Sequence, residues 1–519
     1  MLINARQVER NSVLETDVCI IGAGAAGITI AKEMIDQPLQ VILLESGGMK
    51  PDTETQSLYD GKTGGINYSL VTTRFRYFGG STNHWRGNCR PLDQDDFEKR
   101  SWIPSSGWPI TKSDLIPFYK RAQHVCQLGQ YDYYELDTIK ALVKARPLEF
   151  PAHRVQSQVV QTGRFLSFGK YYRRLLLRAR NITTLTHANA TDLETNETAN
   201  LVTRLKVACL NGNVFHVAAR IFILATGGIE NARLLLASNR VHTNGLGNEH
   251  DIVGRFFMER PYAAFPLQPS NGNINVSFYS YWERQRVHDA TVWGMLSLSN
   301  AVMKEHSLTK MSVGFEPVPS ESVLSARILK ASLLVKTWPP TLYQHTKNIL
   351  ADTYGVGKYV FRKKVLKRFS GKNYLVKPNF EMIPDPNNRV TLSNQKDLFN
   401  QPRPSVHFQF SADEKASFAK SLAILGRELG AVGWEKGAHL IGTSPMFCNH
   451  HMGTTRMSDN PHQGVVDRNC RVHGISNLFI AGSSVFPTAG SAAPTLTIVA
   501  LAVRLADYVK WMMRSCETR

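Results

Sequence analysis

Residues 17–27 read Asp-Val-Cys-Ile-Ile-Gly-Ala-Gly-Ala-Ala-Gly, an apolar strand that runs at once into Gly22, Gly24 and Gly27. Glycines at this spacing suit a pyrophosphate. Gly22 permits a tight turn, Gly24 lets the backbone approach the phosphates, and Gly27 lets the next helix lie close on the strand. A second apolar run, Val41-Ile42-Leu43-Leu44, ends on Glu45, 18 residues after Gly27. A carboxylate there accepts hydrogen bonds from ribose hydroxyls and repels a 2′-phosphate. The helix from about Ala25 turns its partly positive end toward the phosphates. This order predicts a dinucleotide site, with a ligand-free glycine-rich turn as the plainer alternative. It does not say which dinucleotide.

These groups need a large frame. The chain has 519 residues, 43% of them apolar, enough for two or three domains with substantial cores. No apolar run reaches the roughly 18–20 residues of a membrane span. Residues 1–15 mix polar and charged types unlike a secretory leader. The seven cysteines are scattered and never spaced CxxC, so reduced thiols in a cytoplasmic protein are expected, with no disulfide frame and no metal site. A net charge of +19 favours acidic partners such as anionic lipid, an acidic substrate or a carrier. Nucleic acid is set aside because no recognisable binding motif accompanies the charge.

Thr111-Lys112-Ser113-Asp114 looks like a helix start. Residues 181–225 look like a β-meander with strands near 182–186, 201–208 and 214–224. Its last strand ends at Ala225 and enters Thr226-Gly227-Gly228 and a helix. That pattern predicts another parallel strand whose turn approaches the dinucleotide, or else an ordinary βα turn. From about Pro261, alternating segments such as 275–281 and 291–298 suggest an antiparallel sheet. Residues 324–372 hold eleven Lys/Arg against one acid, with apolar residues at helical spacing. They fit either a basic amphipathic helix for a membrane surface or acidic partner, or a solvated helix covering the substrate domain.

The tail carries the most specific blocks: His450-His451-Met452-Gly453-Thr454-Thr455-Arg456-Met457, Asn477 to Pro487 around Gly482-Ser483, and Pro494-Thr495-Leu496-Thr497-Ile498. Gly79-Gly80-Ser81-Thr82-Asn83-His84-Trp85 and Gly227-Gly228-Ile229-Glu230-Asn231-Ala232-Arg233 add to them. With the N-terminal fingerprint, the chain resembles the glucose–methanol–choline (GMC) oxidoreductases. Within them it is similar to the bacterial sugar dehydrogenases of the fructose and gluconate type, and more distantly to pyranose oxidase.

The resemblance implies a discontinuous, Rossmann-like α/β FAD-binding domain from residues 1–260 and 446–519. Residues 261–445 would form an α+β substrate domain with an antiparallel sheet. By position, Gly22, Gly24, Gly27 and Glu45 would hold the ADP half of FAD. Gly80, Ser81, His84 and Trp85 would approach the flavin ring, Ala225 and Gly227 would line the cofactor turn, and Gly482 and Ser483 would reach the ribityl chain. Pro494 and Thr495 would start a helix whose dipole stabilises charge gathering on the reduced flavin. Non-covalent FAD is expected, with a covalent link through His84 as the alternative.

The family's reaction removes a hydroxyl proton to a base and a carbinol hydride to flavin N5. His450 aligns with the base, and His451 is the alternative one residue along; a neutral imidazole suits the role near neutral pH. The implied activity is oxidation of a hydroxyl on a sugar, glycoside or polyol, and an acidic or carrier-bound substrate would suit the basic charge. Oxygen, a quinone or a redox protein would be the external electron acceptor. Ala493 departs from the pattern, because relatives place Asn or His there to grip the substrate oxygen. Either Ser491, Asn449, His451 or another residue replaces that contact, or the substrate lacks the usual geometry, or the chemistry is different, a desaturation or a non-redox lyase reaction. Met382 stands where relatives often have Gln. Arg260 stands where they often have His, and is expected to form a structural salt bridge in preference to meeting an anion.

Overall fold

Val13–Ile21 is the centre of a parallel sheet, because its second half, Val18 to Ile21, is apolar and buried on both faces. The structure is a computed structural model, and it describes residues 1–164, 167–267, 275–317, 342–351, 353, 374–433 and 446–517. The parallel strands run in the spatial order Leu2–Asn4, Ile182–Thr186, Val41–Leu44, Val13–Ile21, Val214–Leu224, and the last of these also pairs with Leu478–Ile480. The strand expected before Gly227 is therefore parallel and central. Its first half turns to a different partner, pairing antiparallel with Val202–Ala208, which pairs in turn with Asn189–Thr195. The expected meander is thus split, since Ile182–Thr186 belongs to the parallel layer.

Helix Ala25–Glu33 packs against Thr495–Glu517, which also packs against Lys112–Val125. The last helix starts where its sequence signals, with Thr111 and Asp114 forming a reciprocal capping box.

A nine-stranded antiparallel sheet forms the second layer. Its main path joins Met446–Phe447, Pro261–Tyr262, Tyr374–Phe380, Met311–Pro317, Ala290–Leu298, Val155–Thr162 and Asn88–Cys89. Strand alternation gives this sheet two different faces. Val159, Val292, Leu296, Val313, Val376 and Phe380 join Ile424, Leu425 and Leu429 of helix Ala412–Ala431 in one apolar core. The opposite face presents Gln158, Trp293, Met295, Lys377 and Asn379 to a cavity. Two strands of this sheet come from within 1–260 and one from beyond 445, so the layers exchange segments across the boundaries read from sequence.

Residues 275–281 do not form the expected strand. Ser277–Tyr279 and Tyr281–Glu283 are 3₁₀ turns. Adjacent Phe278 and Tyr279 are both fully buried, which a half-buried strand with a two-residue period does not allow. Most of the basic stretch 324–372 lies outside the described residues; Leu342–Ala351 within it is helical. Among the described residues, no helix is long and apolar enough to cross a membrane.

The fingerprint glycines divide by function. A Cβ on Gly27 would stand 1.9 Å from the Gly22 carbonyl oxygen, and one on Gly22 would stand 2.6 Å from that of Ala225. A Cβ on Gly24 would meet nothing within 4 Å. Gly27→Ala should therefore destabilise the protein by about 1–3 kcal/mol through overpacking, whereas Gly24→Ala should leave stability near wild type. Urea unfolding of the two variants checks the contrast.

Candidate functional site

The turn after Val13–Ile21, the end of Val41–Leu44 and the turn after Val214–Leu224 open on one cavity of about 700 Å³, within the usual range for small-molecule sites. Gly22, Gly24, Glu45, Gly80, Ser81, His84, Trp85, Ala225, Gly227, His450, His451, Gly482, Ser483, Pro494 and Thr495 all line it. Gly27 does not, because it serves the helix–strand contact behind the turn.

Glu45 is 5% exposed and accepts from the backbone N–H groups of Gly47 (2.9 Å) and Ala23 (3.2 Å). Burial nevertheless raises its pKa. The loop bearing Gly80 docks on the fingerprint turn through the Gly79 N–H, which donates to Ala23 O at 2.8 Å. His84 stacks on Phe75 with centroids 3.8 Å apart, and its Nε2 lies 2.7 Å from the Tyr77 hydroxyl.

The tail is fastened to the same turns. Ser483 Oγ donates to His451 O at 2.7 Å, Thr454 Oγ1 donates to Gly228 O, and a Cβ on Gly228 would meet His451 O at 2.4 Å. Residues 450–453 therefore back directly onto the turn that follows the central strand.

Glu259, which the sequence reading did not single out, organises the histidine segment. It is fully buried. Its Oε1 accepts from the backbone N–H groups of His450 (2.6 Å) and Arg260 (2.7 Å), and its Oε2 accepts from the Tyr68 hydroxyl (2.5 Å). The Tyr68 oxygen also lies 2.7 Å from His451 Nε2. Burial pushes Glu259 up to about 7, and the hydrogen bonds it accepts pull against that rise. The signal in the sequence was one acid directly after the apolar Phe256-Phe257-Met258, a position that needs buried partners.

The two histidines differ in their surroundings. His451 Nε2 is held by Tyr68 and lies 3.7 Å from Glu259 Oε2. His450 Nδ1 is buried with no partner among the described residues, which leaves Nε2 as the ring nitrogen open to the cavity. Burial, helped by the positive charge of Arg260, lowers His450 to about 3, so its imidazole is neutral at ordinary pH. Burial also holds His451 well below its usual value.

Ala493 lines the cavity with a methyl group, and nearby Ser491 Oγ is buried with no partner among the described residues. Asn449 also lines the cavity, and its Oδ1 accepts from Tyr68 at 3.2 Å. Arg260 makes no salt bridge among the described residues, contrary to expectation. Its contact is a donation from Nη2 to Ser312 Oγ at 2.8 Å. Met382 is fully buried, with its sulfur accepting from the Glu259 N–H, so it supports the site from behind.

The cavity suits FAD on structural grounds. A Cβ on Gly24, Gly227 or Gly482 would meet nothing within 4 Å, so each leaves room for close approach of a ligand. Helices Ala25–Glu33 and Thr495–Glu517 both begin at the cavity wall, where free N–H groups and dipoles favour phosphate and developing negative charge. Fold and site together define a dinucleotide-binding protein whose cavity fits FAD.

Residues 384–502 match the family model described as GMC oxidoreductase. The chain is 24% identical to the fructose dehydrogenase large subunit of Gluconobacter japonicus, over 96% of this chain and 98% of that protein. It is 23% identical to 2-methyl-1,2-propanediol dehydrogenase of Mycolicibacterium austroafricanum, over 95% of each. The crystal structure of pyridoxine 4-oxidase from Mesorbium loti superposes with a TM-score of 0.58 at 16% identity, covering 95% of this chain and 98% of that one. Together with the site, these similarities make the chain an FAD-dependent oxidoreductase whose residues 384–502 match the GMC oxidoreductase model.

The raised pKa of Glu259 has a thermodynamic sign. The folded protein holds this proton up to about pH 7, whereas an ordinary carboxyl releases it near 4.5. The group's contribution to stability is therefore present in full below about pH 4.5 and falls as pH rises toward 7. Glu259→Gln should remove that decline. Urea unfolding of both proteins at intervals from pH 4.5 to 8 should show their stability difference changing within this window and levelling above it.

Proposed function

We propose that this enzyme oxidises a hydroxyl group on a sugar, glycoside or polyol-like substrate, with His450 as the base. The observation that carries the reading is a neutral imidazole on the wall of the dinucleotide cavity, with one ring nitrogen open and its backbone N–H fixed by a buried carboxylate. The full-length relatives described above, named for the dehydrogenation of fructose and of 2-methyl-1,2-propanediol, support the same class of substrate. When bound, FAD supplies the two-electron acceptor that takes the carbinol hydride.

The chain's own residues then divide the work. His450 accepts the hydroxyl proton at Nε2, which requires its resident proton to sit on Nδ1. Glu259 and Tyr68 fix the segment, so that His451 positions and His450 reacts. The Ser491 hydroxyl, which has no partner among the described residues, takes with Asn449 the polar contact that Ala493 cannot make. Desaturation or lyase chemistry draws support from the Ala493 methyl alone, and these two polar neighbours in the same cavity weigh against it. The contact between His84 Nε2 and Tyr77 supports non-covalent FAD, since that nitrogen already has a partner. Reoxidation falls to an external acceptor, whether oxygen, a quinone or a redox protein.

His450→Ala should retain yellow FAD and slow anaerobic flavin reduction by about 10²–10⁴-fold, the usual contribution of a general base. Reduction at the wild-type rate would remove His450 from the role. Acid precipitation of the holoenzyme should give a colourless pellet and a yellow supernatant; colour kept in the pellet would instead place a covalent bond to the protein.

A further inference from the structure

Arg260 is 4% exposed and lines the cavity. Other buried cations of the described structure have carboxylates: Arg74 pairs with Glu230, Arg100 with Glu381, Arg233 with Asp397 and Lys310 with Asp96. Arg456 has no acid within salt-bridge distance, but lies 4.3 Å over the Phe256 ring, donates to Ser105 O and does not line the cavity. Arg260 has no such partner among the described residues, and the carboxylates whose charge reaches it, Asp96 and Glu381, are already paired with Lys310 and Arg100. Its Nε is buried with no partner among the described residues, Nη1 makes no hydrogen bond with them, and Nη2 donates only to the neutral Ser312 hydroxyl. A desolvated guanidinium without a counter-charge is costly. Its planar fork is shaped to take a carboxylate through two parallel hydrogen bonds.

Its location is specific. The Arg260 N–H shares Glu259 Oε1 with the His450 N–H, so one carboxylate oxygen fixes the backbone of both residues. The Ser312 hydroxyl that receives Nη2 donates onward to Ser491 O at 3.2 Å, two residues before Ala493. Arg260 therefore adjoins both the proposed base and the segment from which the usual second polar side chain is missing. Ser491 lines the same cavity, and its Oγ is buried with no partner among the described residues. Among the other cations lining the cavity, Lys377 pairs with Glu316, Arg90 with Asp93, and Arg74 and Arg76 with Glu230, while Arg86 is exposed and lies over the Tyr281 ring. Arg260 is therefore the buried one without a carboxylate partner among the described residues.

We propose that Arg260 is a specificity-determining residue whose guanidinium binds a carboxylate on the substrate, so that the enzyme prefers hydroxy acids or sugar acids to their neutral counterparts. This rests on the alcohol-oxidation reading above for the reaction, though the anion subsite stands on its own geometry. The Coulombic influence of Arg260 on His450 fits the arrangement. A bound carboxylate offsets the guanidinium charge and makes proton acceptance by the neighbouring imidazole easier.

Two measurements on the holoenzyme test binding and chemistry separately. The first titrates oxidised enzyme with methoxyacetate and with methoxyacetamide, which carry no hydroxyl to oxidise, and reads the flavin absorbance and heat of binding. A charge-assisted hydrogen-bonded pair should make the acid bind about 10–100-fold more tightly than the amide. Arg260→Met should abolish that ratio, and Arg260→Lys should keep part of it. Equal binding in the wild type, no binding of either compound, or a ratio unchanged in Arg260→Met overturns the proposal. If Arg260→Met does not fold, the wild-type ratio and the Lys variant still decide. The second measurement follows anaerobic bleaching by methyl α-D-glucuronide and methyl α-D-glucoside. A faster glucuronide supports the proposal and a faster or equal glucoside counts against it. Bleaching by neither compound, with the binding ratio intact, counts against alcohol oxidation and leaves the subsite standing.

Discussion

The site depends on one buried carboxylate. Glu259 accepts two backbone N–H groups on one oxygen and a phenol on the other, and these donors belong to residues 68, 260 and 450. A buried carboxyl with fewer donors would be expensive, and an amide in its place would offer one acceptor oxygen where the carboxylate offers two. Two of these donors lie 191 residues away in the chain, one on each side, so the carboxylate ties Tyr68 and the His450 backbone to its own segment. The proposed base, the arginine beside it and the tyrosine behind them are placed together or not at all.

A second constraint is the interleaving of the two layers. The parallel sheet supplies turns whose glycines either pack a helix, as Gly27 does, or leave open room, as Gly24 and Gly482 do. The antiparallel sheet supplies a wall through alternation, with one face against helix Ala412–Ala431 and the other toward the cavity. Neither layer encloses a site alone. Segments 88–89 and 155–162 cross into the second layer between strands of the first, so the cavity wall is continuous even though the sequence that builds it is not.

This explains what could be read from the sequence. Gly22, Gly24, Gly27 and Glu45 act through local spacing, and the parallel strands around them are apolar runs of the right length, so that half of the site was legible. The tail blocks were legible through resemblance, and they reach the same cavity. Glu259 and Tyr68 were not, because their roles arise from pairings 191 residues apart for Tyr68 with Glu259 and 383 apart for Tyr68 with His451. No periodicity encodes such contacts. Residues 275–281 misled for a related reason: an aromatic, alternating composition fits a strand until adjacent Phe278 and Tyr279 are both required inside. Arg260 was expected to be paired because most buried cations are, and the exception appears only once its neighbours are placed.

The electrostatics of the cavity then form a consistent argument. Two helix N-termini and a buried guanidinium with no carboxylate partner among the described residues add positive charge to this wall, which suits phosphate and reduced-flavin charge but works against a histidine that must gain a proton. Burial compounds the problem, keeping His450 neutral and ready to accept while making the resulting imidazolium unfavourable. Glu259 relieves little of this, since it contacts His450 through the backbone N–H and its own proton is held to about pH 7. Negative charge that neutralises Arg260 on substrate binding would therefore do two things at once. It would hold the substrate beside the base, and it would remove part of the field that opposes proton transfer, so binding and reactivity would be coupled through a single side chain.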